Sequence, residues 1–225
     1  MKNTKNLIKI DLFKEINNKE IAYILGLLWA DGHVTFANNK SKTPIIKHNT
    51  KTDDNETFLK ILQFSGEWRT FISDNTGSYS KTPKKIATNW ISNRELGEFL
   101  IQCDYRNKTT SPDKILGLIP IHLKKYWFRG FFDGDGSATI KPKGHRSMAF
   151  TSSDKQNWSF IINLFNEINI LNYKHRIIES RGGKSSQIRI TNKRDLMVFD
   201  NYLYDDYDES QMGLYRKRIL FKNLY

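Results

Sequence analysis

The chain has 225 residues, of which 36 are Lys or Arg and 24 are Asp or Glu, so its formal net charge is +12. This length suits one ordinary domain or two small ones, and 38% hydrophobic with 13% aromatic residues exclude a wholly disordered chain. The longest apolar stretch, residues 21–30, is too short to cross a bilayer, and residues 1–13 lack the apolar core of a secretory signal peptide. The charge favours a nucleic-acid partner, because no basic amphipathic surface helix supports a membrane surface.

Cysteine and codon usage bear on the compartment. Cys103 is the only cysteine, which excludes a disulfide framework and a Cys-rich zinc site. We expect it to be a buried small hydrophobe in a reducing, intracellular compartment. Lys, Ile and Asn are abundant, and their A/T-rich codons favour a phage, an organelle or a low-GC bacterium as the source.

Periodicity and turn residues predict the same order of elements twice, α-β-β-α-β-β-α. In the first copy, the first helix ends at Gly32, a C-cap glycine. Asp53 caps the second helix, and Ser92 or Asn93 caps the third. The predicted elements of this copy are a helix over 20–30, strands over 33–38 and 44–51, a helix over 54–65, strands over 68–73 and 84–91, and a helix to about residue 103.

The second copy is expected to repeat that order and to add one last helix. Its predicted elements are a helix over 121–133, strands over 137–141 and 146–151, a helix over 154–169, strands over 173–179 and 185–190, and helices over 192–203 and 209–222. The fold class is therefore α+β, with two pseudo-symmetric units that each carry a four-stranded antiparallel sheet. The predicted organisation is a first unit over 1–104, a linker over 105–120 that contains two prolines, and a second unit over 121–225.

An internal repeat supports this division. Residues 21–32 are echoed by residues 125–136 at an offset of 104. Further landmarks follow each copy in the same order: Thr-Lys-Thr-Asp at 50–53 against Thr-Ser-Ser-Asp at 151–154, and a basic cluster after each last helix of the unit. A duplicated unit of about 100 residues explains all of these correspondences.

Small residues line one face of the first helix in each copy. Gly26 and Ala30 are four residues apart, as are Gly130 and Gly134. Residues at that spacing share a helix face, so the two helices can approach backbone to backbone. We therefore predict that Gly26 and Gly130 form the helix interface, about a pseudo-two-fold axis.

Each of these helices ends in an acid, Asp31 in the first copy and Asp135 in the second. The pseudo-symmetry brings the two carboxylates together at helix C-termini, which already carry partial negative charge. Like charges there repel each other unless a divalent cation lies between them, and oxygen ligands with room for water suit Mg²⁺. Paired metal-binding acids on a basic chain fit hydrolysis of phosphodiester bonds.

Residues 24–32 and 128–136 resemble the two copies of the motif that names the LAGLIDADG homing endonucleases. The resemblance implies that Asp31 and Asp135 bind metal through their side chains, and Ala30 and Gly134 through their backbone carbonyls. It also implies a monomeric endonuclease whose sheets form a DNA-binding saddle in the major groove. Such an enzyme would cut both strands of a nearly palindromic site of about 20 bp with Mg²⁺, or Mn²⁺ as a substitute, and leave short 3′ overhangs. It would act in the compartment that holds its target DNA.

The sixth motif position differs between the copies, Trp29 against Asp133. This difference predicts asymmetric packing, and Asp133 is interpreted as a structural cap or interface residue rather than a metal ligand. The resemblance also implies a catalytic lysine after the last helix of each unit, which corresponds to Lys108 and Lys217. Arg216 is an alternative to Lys217 in that role.

Polar neighbours of the site are expected from the same resemblance at Lys51 and Ser152, where the second strand of each copy ends. The hairpins are rich in cationic and polar residues, which we predict to contact DNA. These residues are Lys42, Lys47, Arg69, Lys81, Lys84, Lys85, Lys141, Lys143, Arg146, Arg176, Arg181, Lys184, Gln187 and Arg189. Alternation along the strands would place only half of them on one face of the sheet.

A second class of function stays open from the sequence. An RNA maturase that helps an intron to fold, or a non-catalytic DNA-binding relative, would share the basic duplicated fold. The intact acid pair favours catalysis over both alternatives.

Overall fold

The computed structural model describes residues 8–37, 41–75, 84–140, 145–180, 183–207 and 212–223. The described part of the first unit contains α1 (Asp11–Lys14), α2 (Lys19–Asp31), β1 (Gly32–Phe36), β2 (Pro44–Lys51), α3 (Thr52–Leu62), β3 (Arg69–Asn75), β4 (Lys84–Ser92) and α4 (Arg94–Gln102). After it come α5 (Asp113–Leu118) and a 3₁₀ turn (Ile121–Leu123). The second unit contains α6 (Lys124–Asp135), β5 (Gly136–Ile140), β6 (Arg146–Ser153), α7 (Ser159–Glu167), β7 (Tyr173–Ser180), β8 (Gly183–Ile190), α8 (Lys193–Tyr204) and α9 (Tyr215–Lys222).

The two sheets have the same topology, which confirms the predicted fold class. Each is antiparallel and four-stranded, in the orders β1-β2-β4-β3 and β5-β6-β8-β7. The register pairs Lys47 with Trp90 in the first sheet and Ala149 with Arg189 in the second. All seven predicted elements of each unit are present, with ends that move by a few residues.

Several local predictions were wrong. α3 begins at Thr52, and its N-cap residue, Lys51, makes no side-chain cap, so Asp53 lies in the first turn instead of capping it. α7 begins at Ser159, because residues 154–155 form a turn and residues 156–158 are irregular. α1 was not predicted, since four residues carry no measurable periodicity, and neither was α5, which lies within the segment 105–120.

Other local predictions were confirmed. The side chain of Asn93 caps α4, accepting a hydrogen bond of 2.9 Å from the backbone N–H of Leu96. Cys103 is buried, at 5% exposure. The last predicted helix exists but begins at Tyr215, and residues 209–211 of the predicted range lie outside the described part.

Gly32 ends α2, but it does not adopt the left-handed conformation of a C-cap glycine. Its φ is −82° and its ψ is 159°, an extended conformation open to any residue. A Cβ atom there would lie 2.5 Å from the carbonyl oxygen of Leu28. Glycine is therefore required by the tight turn from helix into strand, and Gly136 repeats this arrangement against Phe132.

Helices α2 and α6 pack face to face at the centre of the molecule, as the glycine spacing predicted. A Cβ on Gly26 would lie 1.9 Å from the carbonyl oxygen of Trp127, and one on Gly130 would lie 2.1 Å from that of Tyr23. Because glycine has only a hydrogen in place of a side chain, the two helix backbones come into contact at these positions. Both helices are buried over most of their length, so they form the core shared by the two units.

The contacts beside this interface are asymmetric, as the sixth motif position predicted. Asp133 is buried and accepts hydrogen bonds from the hydroxyl of Tyr23 at 2.6 Å and from the backbone N–H of Leu214 at 3.0 Å. It therefore ties α6 to the other unit and to the chain before α9, which is the interface role predicted for it. Trp29 packs its ring edge-on against Tyr105 at 5.0 Å. No helix in the described segments is long and apolar enough to cross a membrane.

Candidate functional site

Asp31 and Asp135 lie together at the C-terminal ends of α2 and α6. The close helix packing fixes this arrangement, since a Cβ on Gly134 would be 3.1 Å from a carboxylate oxygen of Asp31. Burial raises the pKa of Asp135 to about 6, and the charge of Asp31 adds to that shift. Burial also raises the pKa of Asp31, and the positive charges of Lys217 and Lys108 oppose that shift. The two acids thus form one coupled, partly desolvated pair.

A lysine packs against the C-terminal end of each of these helices, the half-buried Lys108 on α2 and the buried Lys217 on α6. The Nζ atom of Lys108 donates hydrogen bonds to the carbonyl oxygens of Ala30 at 2.8 Å and Leu28 at 3.4 Å, and also to that of Gly32. Basic side chains in this position satisfy terminal carbonyls and interact favourably with the helix dipole. Burial lowers the pKa of Lys108 to about 8, although the charges of Asp135 and Asp31 oppose the shift.

Lys217 repeats the arrangement on α6 from the other end of the chain. Its Nζ atom donates to the carbonyl oxygens of Phe132 at 3.0 Å, Gly134 at 3.0 Å and Gly136 at 2.8 Å, and also to that of Asp133. Burial lowers its pKa to about 8 as well. The structure therefore brings both predicted lysines to the acid pair, and Arg216, the alternative, points to another partner.

The donor atoms of the site suit a hard divalent cation. The described residues contain no cluster of three or more His, Cys, Asp or Glu side chains that could hold a metal ion. Mg²⁺ does not require such a cage, because it is commonly held by one or two carboxylates together with substrate phosphates and water. Asp31 and Asp135 supply the two carboxylates. The carbonyls of Ala30 and Gly134 already accept hydrogen bonds from the lysines, so in this structure they hold the cationic side chains.

Two cavities open beside the acid pair, one for each carboxylate. The larger, of about 550 Å³, is lined by Asp31, Lys51, Lys217 and Arg216 among others. Lys85 also lines it. Its charged lining groups are four cations, Lys51, Lys85, Arg216 and Lys217, and three carboxylates, Asp31, Asp54 and Asp133.

The smaller cavity, of about 340 Å³, is lined by Asp135, Lys108, Ser152 and Gln156 among others. The hydroxyl of Ser152 donates a hydrogen bond of 3.0 Å to the side chain of Gln156. Lys51 and Ser152, the polar neighbours predicted at the strand ends, thus lie in corresponding positions beside different carboxylates. Several charged side chains line the larger cavity, whereas Lys108 and Asp135 are the charged residues that line the smaller one.

Strand alternation decides which predicted DNA contacts share a face. Ile46 and His48 are buried under the helices, so Lys47 lies on the opposite, outer face of the first sheet. The cross-strand pairing of Arg69 with Trp90 continues that face, and the guanidinium lies 5.4 Å from the indole centroid. The first sheet therefore presents cations on the side away from its helices.

The second sheet has a matching outer face. Ile188 and Ile190 are buried, which places Gln187 and Arg189 on the other side. Gln187 accepts a hydrogen bond from Arg176 at 3.0 Å and donates one to the hydroxyl of Thr151 at 3.0 Å. These side chains form an ordered polar row across three strands.

Arg146 and Lys184 differ in register from the other strand cations. Arg146 alternates with the buried Met148, and Lys184 alternates with the buried Ser186, so both have the register of helix-facing residues. Lys184 forms an ion pair of 2.9 Å with Glu179.

The structure says little about the remaining predicted contacts. Lys42 is exposed just before β2. Lys84 begins β4, and its side chain is not among the described ones. Lys81, Lys141, Lys143 and Arg181 lie outside the described residues.

One contact of the site was not predicted at all. Arg216 forms a bidentate ion pair with Asp54, with its Nε atom 2.7 Å from one carboxylate oxygen and its Nη2 atom bonded to the other. The two residues are 162 positions apart in the chain and belong to different units. The sequence shows the basic cluster that contains Arg216, but no local pattern signals its partner.

The comparisons with known proteins agree with this architecture. Residues 123–204 match the family model described as a LAGLIDADG-like domain. Among solved structures, the homing endonuclease I-WcaI bound to its DNA recognition sequence is 13% identical with a TM-score of 0.60, covering 98% of this chain and 94% of that one. I-DmoI in complex with DNA and Ca is 14% identical with a TM-score of 0.57, covering 82% and 88%.

A third similar structure is the I-LtrWI LAGLIDADG homing endonuclease bound to target DNA, at 14% identity and a TM-score of 0.52, covering 92% of this chain and 88% of that one. A search of curated protein sequences gave no significant match. The fold is that of two-unit LAGLIDADG proteins. The predicted resemblance to the LAGLIDADG homing endonucleases is confirmed, in sequence for the second unit and in fold for both.

Proposed function

We propose that the chain is a monomeric, site-specific endonuclease that cuts double-stranded DNA with Mg²⁺. The observation that carries the proposal is the acid pair itself. Two carboxylates from different units meet at the ends of packed helices, and each has a buried or half-buried lysine beside it. A buried charge cluster of this kind is unfavourable for stability, so its presence points to chemistry.

The two outer faces give the duplex a surface. Both sheets present cationic and polar rows, and the whole chain carries a net charge of +12. The similar structures of I-WcaI and I-DmoI were solved with DNA bound. Two sheets that lie side by side along the major groove would together contact about 20 bp, or two helical turns. Because the units differ in sequence, that target should be an imperfect palindrome.

Asp31 and Asp135 would hold the metal, and a bound divalent cation would polarise the scissile phosphate and activate water. The two lysines keep the helix ends in place and add positive charge next to the phosphate. Since burial lowers the pKa of Lys108 and of Lys217 only to about 8, both remain mostly protonated at neutral pH. Each cavity is lined by one acid of the pair and by one of the two lysines that bind a helix end, so each would serve one of the two scissile phosphates. Hydrolysis on both strands would leave short 3′ overhangs. The enzyme would act in the compartment that holds the target DNA.

A cleavage assay tests the proposal. Its substrate is the sequence of the gene that carries the coding region of this chain, with that insertion removed. A supercoiled plasmid carrying that sequence is incubated with the chain and Mg²⁺, and the ends are sequenced. We expect one double-strand break at a unique site, no cutting in EDTA, and binding without cutting in Ca²⁺. Tighter binding to structured intron RNA than to the duplex, with no cutting, would favour an RNA maturase instead.

A further inference from the structure

The ion pair between Arg216 and Asp54 joins the two units beside the larger cavity. Arg216 belongs to α9 of the second unit, and Asp54 lies in the first turn of α3. The Asp54 side chain is 7% exposed, and both of its oxygens accept from the guanidinium. The hydrogen bonds from Arg216 lower the pKa of Asp54, so the carboxylate stays charged at neutral pH. Bidentate Arg–carboxylate pairs fix orientation as well as distance.

This pair lies directly beside the lysine of the same helix. Lys217 follows Arg216 directly, and its Nζ atom must reach the carbonyls at the end of α6. The short helix α9 has no side-chain cap at its N-terminal end. Its first turn is therefore held by tertiary contacts: Arg218 forms an ion pair with Asp200 of the same unit, and the Arg216 ion pair is the one that reaches the other unit.

The other half of the site is built from different residues. When the two lysines are aligned, Arg216 corresponds to Asn107, and in the repeat Asp54 corresponds to Lys155. The chain that follows Lys108 is held by neutral bonds. The N–H of Asn157 donates to the carbonyl of Thr109 at 2.8 Å, and the side chain of Gln156 donates to that of Thr110 at 3.4 Å.

We propose that Asp54 and Arg216 are positioning residues for one of the two cleavage reactions only, the one served by Asp31 and Lys217. The inference rests on the proposed endonuclease function and deepens it. The ion pair holds Lys217 in place without touching the reacting atoms. Its loss should therefore slow cleavage of one DNA strand and leave the other strand, served by Asp135 and Lys108, close to its original rate.

Strand-resolved kinetics test this proposal. The target duplex is labelled at a different end on each strand, and both cleavage rates are measured for the wild-type chain and Asp54→Asn. We expect one strand to slow by roughly ten- to a hundredfold, as is typical when a reacting group is misplaced by about 1 Å. On a supercoiled plasmid, nicked circles should accumulate.

Three further variants separate positioning from a general loss of structure. Arg216→Lys keeps the charge but cannot bond both oxygens, so it should slow the same strand. The exchanged pair, Asp54→Arg with Arg216→Asp, should restore part of that rate. Lys155→Gln changes the position that corresponds to Asp54 in the other unit, an exposed residue, and should leave the ratio of the two rates unchanged.

The outcomes distinguish the inference from the function on which it rests. If Asp54→Asn does not fold, Arg216→Lys carries the test. Equal slowing of both strands, or an unchanged ratio of rates, overturns the positioning role. A wild-type chain that cuts neither strand refutes the endonuclease proposal itself.

Discussion

Replacement of Gly130 by Ala tests the central helix contact with the smallest change available. The added methyl carbon would lie 2.1 Å from the carbonyl oxygen of Tyr23, where ordinary contact begins at 3.4 Å. The atom it meets is backbone, so no rotamer change can make room, and α2 and α6 must separate by about 1 Å. The same substitution at Gly26 meets the carbonyl oxygen of Trp127 at 1.9 Å.

Two opposing effects set the size of the change. Overpacking a tight contact costs about 1–3 kcal/mol. Alanine is favoured over glycine inside a helix by about 0.5–1 kcal/mol, which offsets part of that cost. We expect a net loss of about 1–2 kcal/mol, or about 2–8 °C in Tm for a chain of this size. Because the acids sit at the ends of the separated helices, cleavage should fall by about a hundredfold.

Gly117 provides the matched control. It lies in helix α5, and a Cβ placed there meets no heavy atom of the described residues within 4 Å. Gly117→Ala should therefore show only the gain in helix propensity, with a slightly higher Tm and unchanged cleavage. Calorimetry and the plasmid assay measure both quantities. If Gly130→Ala and Gly117→Ala behave alike, backbone contact between α2 and α6 is not what holds the units together.

Three further predictions follow from charge. In the folded protein the pKa of Asp135 is about 6 against the ordinary value of 3.8, so its stabilising contribution is present below pH 4 and lost by pH 6. Asp135→Asn should therefore raise the free energy of unfolding of the metal-free protein at pH 7 by up to about 3 kcal/mol, measured by urea unfolding. His48 is buried with no partner for either ring nitrogen in the described part of the chain, and burial lowers its pKa from 6.5 to about 3. The neutral form is the one that folds, so stability should fall below pH 6.5 by up to about 1.4 kcal/mol per pH unit, and His48→Leu should flatten that slope; an unchanged slope would contradict the assignment. DNA affinity should fall with salt, with a log–log slope of about −0.9 per phosphate contact, and a flat response would argue against binding through the cationic faces.

The helix pair was predictable because its signal is local and duplicated. The glycine spacing and the terminal acids repeat at an offset of 104 residues, which indicates the interface, the acid pair and the order of elements together. Each unit alone carries a weak pattern. Two copies in the same order remove most of the ambiguity, because chance matches seldom agree in both type and position.

Contacts between distant segments were not predictable in the same way. The pairing of Asp54 with Arg216 depends on how α9 returns to the first unit, and no periodicity encodes that path. The lysines were placed near the acids by resemblance, but their bonds to the helix-end carbonyls were visible only in the structure. The register of Arg146 and Lys184 was likewise visible only in the structure, since register at a strand end is set by partners across the sheet.

Asp31 and Asp135 are the residues on which the proposed chemistry depends most, and the cleavage of a target plasmid by Asp31→Asn and Asp135→Asn tests their role directly. Each substitution removes one metal-binding charge and keeps the shape of the side chain. We expect both variants to bind the target duplex in Ca²⁺ with nearly unchanged affinity and to make no double-strand break in Mg²⁺. Cleavage by either variant at close to the wild-type rate would contradict the assignment of the acid pair as the catalytic centre.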